Sequence, residues 1–364
     1  MLGSDEFAAW LRLLETPQVG RDGARRLLAA FGSPQAVFDA GPAAWREVAG
    51  EAVARHLATE PPLYLERLQA AQRWWTGGPE RHVVTLGDAE YPPLLLQTAD
   101  PPLLMYVQGR LELLSAAGIA VVGSRNPTPQ GADNARAFAG QLCRDGLAIV
   151  SGLALGIDGA AHEGALDAGG ATVAVVGTGL DIVYPSRHLA LARRIAETGA
   201  LVSEYAPGTP SMAAHFPQRN RIIAGLTRGT LVVEAALRSG SLITARLAAE
   251  AGREVFAIPG SIHSPQSRGC HALIRQGAKL VESAADILEE LHPPRPSAPA
   301  DTDEPASETD PLLAAMGHDP VSLDALGART GWPAQALSAR LLELELDGRV
   351  ARLPGGLYQR HAAI

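Results

Sequence analysis

The chain has 364 residues, of which 46% are hydrophobic and 19% charged, and its formal net charge is −8. That length allows two or three domains with a sizeable core, and the acidic balance excludes a protein that is basic all over. No apolar run is long enough to span a membrane and no signal-peptide pattern is present, so a cytoplasmic protein is expected.

The distribution of charge says more than the total. Residues 121–275 carry 14 Arg, no Lys and 11 acidic residues, net +3, which leaves 17 basic and 28 acidic residues, net −11, to the rest. Lys279 is the sole lysine of the chain. The two cysteines, Cys143 and Cys270, form neither a metal-binding nor a disulfide pattern.

Residues 1–78 read as a helical domain, with helices around 5–14, 23–31, 34–40, 42–49 and 63–75. Within it, Pro17-Gln-Val-Gly20-Arg-Asp-Gly-Ala24-Arg-Arg-Leu27-Leu28 resembles a helix-hairpin-helix, or SAM-like, module with Gln18 in place of the usual first glycine. In such a hairpin a tight turn presents backbone N–H groups to DNA phosphate. A small bundle used for packing or protein contact is the alternative. Residues 80–118 alternate prolines with apolar residues, at Tyr91-Pro-Pro and Pro101-Pro-Leu-Leu-Met-Tyr-Val, and predict an extended segment and an edge strand, not a helix.

From residue 119 short apolar runs alternate with helical segments. The runs are 119–122, 148–150, 172–176, 201–203, 230–233, 255–258 and 279–281. Continuous apolar runs of this length, separated by helices, predict a doubly wound, mostly parallel α/β sheet of extended Rossmann-like type over residues 79–290. Ligands are then expected at the carboxyl ends of the strands. Those ends carry Gly123-Ser124-Arg125, Ser151-Gly152, Gly177-Thr-Gly179 with Arg187 beyond, Glu204, Glu234 and Arg238-Ser239-Gly240-Ser241. Glycines let a ligand approach the backbone, and hydroxyls, N–H groups and arginines bind phosphate oxygens.

The stretch His215-Phe216-Pro217-Gln-Arg219-Asn220-Arg221-Ile-Ile-Ala-Gly225 breaks a local rule. Pro217 marks a helix start, no Ser, Thr, Asp or Asn stands before it as a cap, and Arg219 and Arg221 fall in about the first turn. Cations are disfavoured at that positive end and anions are welcome there, so an external anion such as phosphate is expected. Internal carboxylates pairing with the arginines would be the bland alternative, and Glu204 and Glu234 are the candidates for holding Arg219 and Arg221 in place; the same two could instead act as a hydrolytic pair.

Residues 291–310 are rich in Pro, Ala and acids, which predicts a disordered linker. Beyond it, helices over 322–328 and 333–346 and a hairpin around Pro354-Gly-Gly resemble a winged helix over 311–364. Its second helix carries Glu343, Glu345 and Asp347 against Arg340, a poor charge pattern for the major groove. Protein contact or an accessory role is expected of it.

Several chemistries lack their residues. Gly-x-Gly-x-x-Gly is absent at 123–128, the second strand ends in Ser151 and not in a ribose-binding acid, and no Walker lysine follows a Gly-rich turn. His162-Glu163 has no second histidine for zinc and reads as a helix-surface pair, with Asp158 capping that helix. No Gly-x-Ser-x-Gly elbow occurs.

Taken in order, Gly123-Ser-Arg125, Ser151-Gly152-x-Ala-x-Gly156-Ile-Asp158-x-x-Ala-His162, Gly177-x-Gly-x-Asp181-x-x-Tyr-Pro185, Ser203-Glu204, Phe216-Pro-x-Arg219-Asn-Arg221-Ile-Ile-Ala-Gly225 and Ser239-Gly240-Ser-x-x-Thr244-Ala resemble the DNA-processing protein A family, also called Smf. The resemblance covers essentially the whole α/β domain. It implies a non-enzymatic protein without cofactor or metal. Such a protein binds incoming single-stranded DNA in natural transformation, shields it from nucleases and helps to load the recombinase RecA, acting as a homodimer joined through the α/β domain. By position, a strand-end pocket with Arg125, Arg219, Asn220 and Arg221 holds the DNA. Gly123, Ser124, Arg187, Phe216, Ser239 and Gly240 complete the expected site. The competing reading is a nucleotide hydrolase of the lonely-guy type on a similar fold, but Pro-Gly-Gly-x-Gly-Thr-x-x-Glu is absent: Gly229-Thr-Leu-Val-Val-Glu234 has one residue too many.

Overall fold

The computed structural model describes residues 2–291, 310–317 and 319–360. The chain opens with four helices, α1 (Ser4–Glu15), α2 (Gly20–Phe31), α3 (Pro34–Leu57) and α4 (Tyr64–Thr76). Helix α3 is interrupted where Gly41 and Gly50 take φ of 82° and 85°; the break at Gly41 is the expected one, whereas the helical stretch from Gly50 to Leu57 lies beyond the expected helices. In the α1–α2 turn Gln18 has φ 65°. The residue that replaces the motif's glycine thus still adopts the left-handed conformation that glycine favours. The four helices share a core with the sheet that follows: Phe7 and Trp74 set their rings edge-on to Tyr106, with centroids 6.4 and 5.7 Å away.

Next come β1 (Arg81–Thr85), α5 (Pro93–Leu96), β2 (Leu104–Gly109), β3 (Gly118–Val122), α6 (Pro129–Arg144), β4 (Ala148–Ser151), α7 (Ile157–Asp167), β5 (Thr172–Val176), α8 (Leu189–Thr198), β6 (Ala200–Ser203), α9 (His215–Gly225), β7 (Gly229–Val232), α10 (Ser241–Glu250), β8 (Glu254–Ala257), α11 (Arg268–Arg275), β9 (Lys279–Leu280) and α12 (Ala284–Leu291). The strands form one sheet in the order β1-β2-β6-β5-β4-β3-β7-β8-β9. Strands β3 to β9 are parallel, while β1 and β2 are antiparallel additions beside β6. Strands β3, β4 and β5 are buried along their whole length, because helices cover both faces; that is why they read as unbroken apolar runs.

Two expectations for residues 80–118 need correction. The strand predicted near residues 101–107 is β2, which has neighbours on both sides, and the edge is occupied by β1. Residues Pro93–Leu96 form a short helix, since proline is tolerated at the opening of a helix, where its missing N–H has no partner to lose.

Chain order reverses between β3 and β7. From β3 the strands run outward to β4, β5 and β6 on one side and to β7, β8 and β9 on the other. A crevice opens at such a switch point, outside the carboxyl ends of the strands.

The C-terminal unit contains α13 (Pro311–Met316), β10 (Val321–Ser322), α14 (Leu323–Thr330), α15 (Ala334–Leu346), β11 (Val350–Leu353) and β12 (Leu357–Arg360), with a three-stranded sheet in the order β10-β12-β11. Leu312, Leu326, Leu337, Leu341 and Leu344 fill its core. This is the expected winged helix. The linker expected over 291–310 falls, but for its two end residues, outside the described residues. Among the described residues no helix is long and apolar enough to cross a membrane.

Candidate nucleic-acid interface

A pocket of 620 Å³ lies at the switch point. Its walls come from the end of β3 (Val122, Gly123, Arg125), from the loop before α7 and that helix's first turn (Ala154, Asp158), from α9 (Phe216, Arg219, Asn220) and from the start of α10 (Ser239, Gly240, Ser241, Thr244). Three helices therefore point their N-termini at one cavity. None of the three has a side-chain cap: Gly156, Ala214 and Gly240 stand at the cap positions. Local acceptors take up several of the first N–H groups, such as that of Ile157 by the Ser124 carbonyl at 3.1 Å and that of Ser241 by the Ser239 hydroxyl at 3.3 Å, so what converges there is three positive dipole ends, an arrangement that favours an anion. By contrast, α6, which follows β3, is capped by Thr128, whose hydroxyl accepts a hydrogen bond from the Gly131 N–H.

Helix α9 begins at His215, two residues before Pro217. The absence of a cap predicted from the sequence holds, but Arg219 stands one turn inside the helix instead of at its mouth. Its side chain is only 5% exposed, and Asp158 Oδ2 lies 3.9 Å from Nη2. Nε has no hydrogen-bond partner. Burial lowers the Arg219 pKa, and the Asp158 carboxylate opposes the shift. Arginine stays charged through such a shift. In turn, burial raises the Asp158 pKa in spite of Arg219 and of the two backbone N–H groups, from Gly152 and Ala154, that it accepts. Asp158 thus closes the loop before α7 from inside the helix; it does not cap it. The guanidinium packs so closely on Gly152 that a Cβ at that position would overlap it.

Arg125 is exposed, and no carboxylate pairs with it among the described residues. Its guanidinium sits 5.6 Å from the centre of the Phe216 ring. Phe216 packs at 5.4 Å against Tyr184, which is 46% exposed and lines the same pocket. Asn220 donates to the Gly240 carbonyl at 3.4 Å and ties α9 to the start of α10. Leu153, buried in the loop before α7, has φ 57°, a conformation that bulky residues adopt only where the surroundings enforce it.

Of the ten expected site residues, Gly123, Arg125, Phe216, Arg219, Asn220, Ser239 and Gly240 line the pocket, and three do not. The Ser124 hydroxyl accepts the Asn126 N–H at 3.1 Å and shapes the turn. Arg187 lies in a 3-10 turn, Ser186–His188, outside the pocket wall. Arg221 is the larger correction. Its side chain is 10% exposed and pairs with Glu204 at 2.5 Å and with Asp100 at 3.1 Å. The bland alternative, an arginine neutralised by internal carboxylates, is what the structure shows for Arg221.

Glu234 pairs with neither arginine. It accepts the Thr128 N–H and hydroxyl at 2.9 and 2.5 Å and bridges β7 to the start of α6; burial raises its pKa although both bonds oppose this. His162 is not on a helix surface. It is fully buried, its Nδ1 lies 2.7 Å from the Thr172 hydroxyl, and burial pushes its imidazole down to about 3. Glu163 does lie at the surface, with Arg136.

Sequence reasoning missed Asp100, which gathers Arg21, Arg25 and Arg221 at 2.9, 2.6 and 3.1 Å. An isolated acid in a proline-rich connector carries no periodic signal. Nothing local marks it.

Comparison with known proteins gives the same division of the chain. Models for the DNA recombination-mediator protein A, the DprA winged helix domain and the DprA-like N-terminal HHH domain match residues 82–292, 294–356 and 4–60. Protein Smf of Escherichia coli K12 is 45% identical over 299 residues, 79% of this chain and 80% of its own length. DNA processing protein DprA of Streptococcus pneumoniae R6 is 52% identical over 201 residues, 55% of this chain and 71% of its own. Among solved structures, DprA from Streptococcus pneumoniae covers 70% of this chain and 92% of its own at 42% identity, with a TM-score of 0.59. DNA processing protein A from Helicobacter pylori, described for its single-stranded DNA binding mode, covers 58% of this chain and 95% of its own at 30% identity, with a TM-score of 0.53. On its α/β core and both flanking modules, the chain belongs to the DNA recombination-mediator protein A family, the DprA/Smf proteins.

Proposed function

We propose that the switch-point pocket holds single-stranded DNA, and that the protein protects incoming strands and helps to load RecA without catalysing a reaction. One observation carries this reading: three uncapped helix N-termini and two arginines, Arg125 and Arg219, converge on one cavity that also bears an aromatic pair. Single strands require cationic groups for the backbone and ring faces for the bases. The Helicobacter pylori relative, described for binding single-stranded DNA, supports the same ligand. The hydrolase alternative draws no support from Glu204 and Glu234, since one holds Arg221 and the other holds Thr128. Assembly as a homodimer through the α/β domain and a cytoplasmic location belong to the same proposal. For the winged helix we propose protein contact: α15 exposes Leu342 and Leu346 between acidic side chains, and its Arg340 is taken up by Asp310 and Glu343.

The test is fluorescence anisotropy with labelled oligo-dT at two salt concentrations, with a nucleoside monophosphate hydrolysis assay in parallel. Affinity is expected to fall steeply with salt because bound phosphates release counterions. The double variant Arg125→Ala/Arg219→Ala is expected to bind at least tenfold more weakly, a change of about 1.4 kcal/mol. Release of free base without DNA binding would reverse the assignment.

A further inference from the structure

Helix α9 has two working faces. One places Phe216, Arg219 and Asn220 in the pocket. The other carries Gln218 and Arg221 towards the N-terminal helices. On that second face the Asp100 carboxylate takes Arg21 Nε at 2.9 Å and Arg25 Nη1 at 2.6 Å, both from α2, together with Arg221 Nε from α9 at 3.1 Å. Only the Arg21 approach is an aligned hydrogen bond; those of Arg25 and Arg221 Nε are close charge pairs. The Asp100 carbonyl accepts Arg221 Nη1 at 2.7 Å, and Glu204, at the end of β6, holds the Nη2 of the same guanidinium. Gln218 Oε1 accepts from Arg21 at 3.3 Å and from the Tyr205 hydroxyl at 3.1 Å. The Arg25 Nη1 donates to the Pro101 carbonyl at 3.2 Å. Helix α2, the connector at residues 100–101 and α9 are thus joined at one ionic junction, in which the arginines are 10 to 35% exposed.

We propose that Asp100, Arg21 and Arg25 are positioning residues for the DNA pocket, acting through Arg221 and Gln218 on the orientation of α9. The proposal rests on the single-strand reading of the pocket and adds a role for the N-terminal module: it holds the pocket's helix in place and touches no nucleotide in doing so. The chemistry requires this order of parts. A short helix moves as a rigid rod, so a tilt admitted at Arg221 displaces Arg219 and Phe216 on the opposite side. Arg221 is already shared between two carboxylates, which leaves it no free charge for a phosphate.

The salt dependence of binding separates positioning from direct phosphate binding. Removing one phosphate-binding cation from a single-strand site reduces the slope of log affinity against log salt by about 0.7, whereas a fault in positioning lowers affinity at an unchanged slope. In the full-length protein, Arg21→Ala/Arg25→Ala is expected to weaken oligo-dT binding roughly threefold to tenfold with the wild-type slope, and Arg125→Ala is expected to lower the slope. Asp100→Glu, which keeps the charge, is expected to bind closer to the wild type than Asp100→Ala. Hydrogen exchange without DNA provides the second readout: amides of α9 are expected to exchange faster in Arg21→Ala/Arg25→Ala, and those of α6 at the wild-type rate. Unchanged affinity together with unchanged α9 exchange would overturn the proposal. So would a slope for Arg221→Ala reduced to that of Arg125→Ala, which would make Arg221 a phosphate ligand. If the wild type bound no DNA at all, the pocket assignment would fail, while the exchange data would still decide whether the N-terminal module positions α9.

Discussion

Arg219 and Arg221 stand two residues apart on the same helix and face different surroundings. Successive helical residues turn by about 100°, so the two side chains leave α9 on nearly opposite sides. Arg219 meets a single carboxylate at 3.9 Å and lines an open cavity. Arg221 meets Glu204 and Asp100 at 2.5 and 3.1 Å and stands in a junction between modules. What separates an arginine left open to a ligand from a structural one is not the residue or its distance from a helix end. It is whether the folded chain brings enough negative charge to that side of the helix.

The carboxylates divide in the same way. On the junction side, burial pushes the Asp100 carboxyl up, but Arg221, Arg21 and Arg25 together outweigh it and hold the pKa below the usual range. On the pocket side burial prevails over Arg219, and the Asp158 pKa is raised. A carboxylate gripped by three guanidinium groups is kept ionised. The Asp158 carboxylate faces one guanidinium, Arg219, together with the N–H groups of Gly152 and Ala154.

The contrast can be broken most directly at Arg221. Arg221→Ala leaves the largely buried Glu204 carboxylate without its guanidinium, while Asp100 keeps Arg21 and Arg25, and is expected to cost about 3 kcal/mol of stability, as when one member of a buried ion pair is removed. Arg125→Ala, at an exposed position without an ion partner among the described residues, is expected to leave stability within about 0.5 kcal/mol of the wild type. Urea denaturation of the two variants measures both, and equal losses would erase the distinction.

Gly152→Ala sharpens the pocket side. The new methyl group overlaps the Arg219 guanidinium, which must swing away from its place. Single-strand affinity is expected to drop about tenfold, near 1.4 kcal/mol, with little change in melting temperature because the displaced group is the end of a long side chain. Wild-type affinity in this variant would show that the position of Arg219 is immaterial to binding.

The smallest effect is a dependence on pH. The folded pKa of Asp100 lies below its unfolded value of about 3.9, so its stabilisation is fully present above that value and is lost as pH falls through the folded pKa. The destabilisation caused by Asp100→Asn is therefore expected to shrink as pH is lowered from 6 to below about 4. A penalty constant over that range in chemical denaturation would mean that the carboxylate's charge contributes nothing.

Much of this architecture is legible in the residues. Runs such as Ile119–Val122 are apolar throughout because both faces of the sheet are covered, and from residue 119 onward they mark the strands almost to the residue. Gly41 and Gly50 mark the breaks in α3. Seven of the ten expected site residues line one pocket, because in a doubly wound sheet the turns after parallel strands gather at one rim. Other features carried no local signal. The sequence of His162 suits a helix surface as well as a core, and only the packing of α7 decides for the core. Proline pairs suggested extended chain at Pro93–Leu96, where the fold makes a helical turn.

Sequence alone determined the alternation of strands and helices from residue 119 onward, the cationic middle of an acidic chain and the absence of a side-chain cap before α9. All of these depend on neighbours within a few residues or on composition. Tertiary structure decided which arginines remain available to a ligand. Asp100 and Arg221 are 121 residues apart in the chain, and Arg21 reaches the same carboxylate from 79 residues away. A charge is neutralised by whatever lies within a few ångströms of it, and only the folded chain fixes those distances.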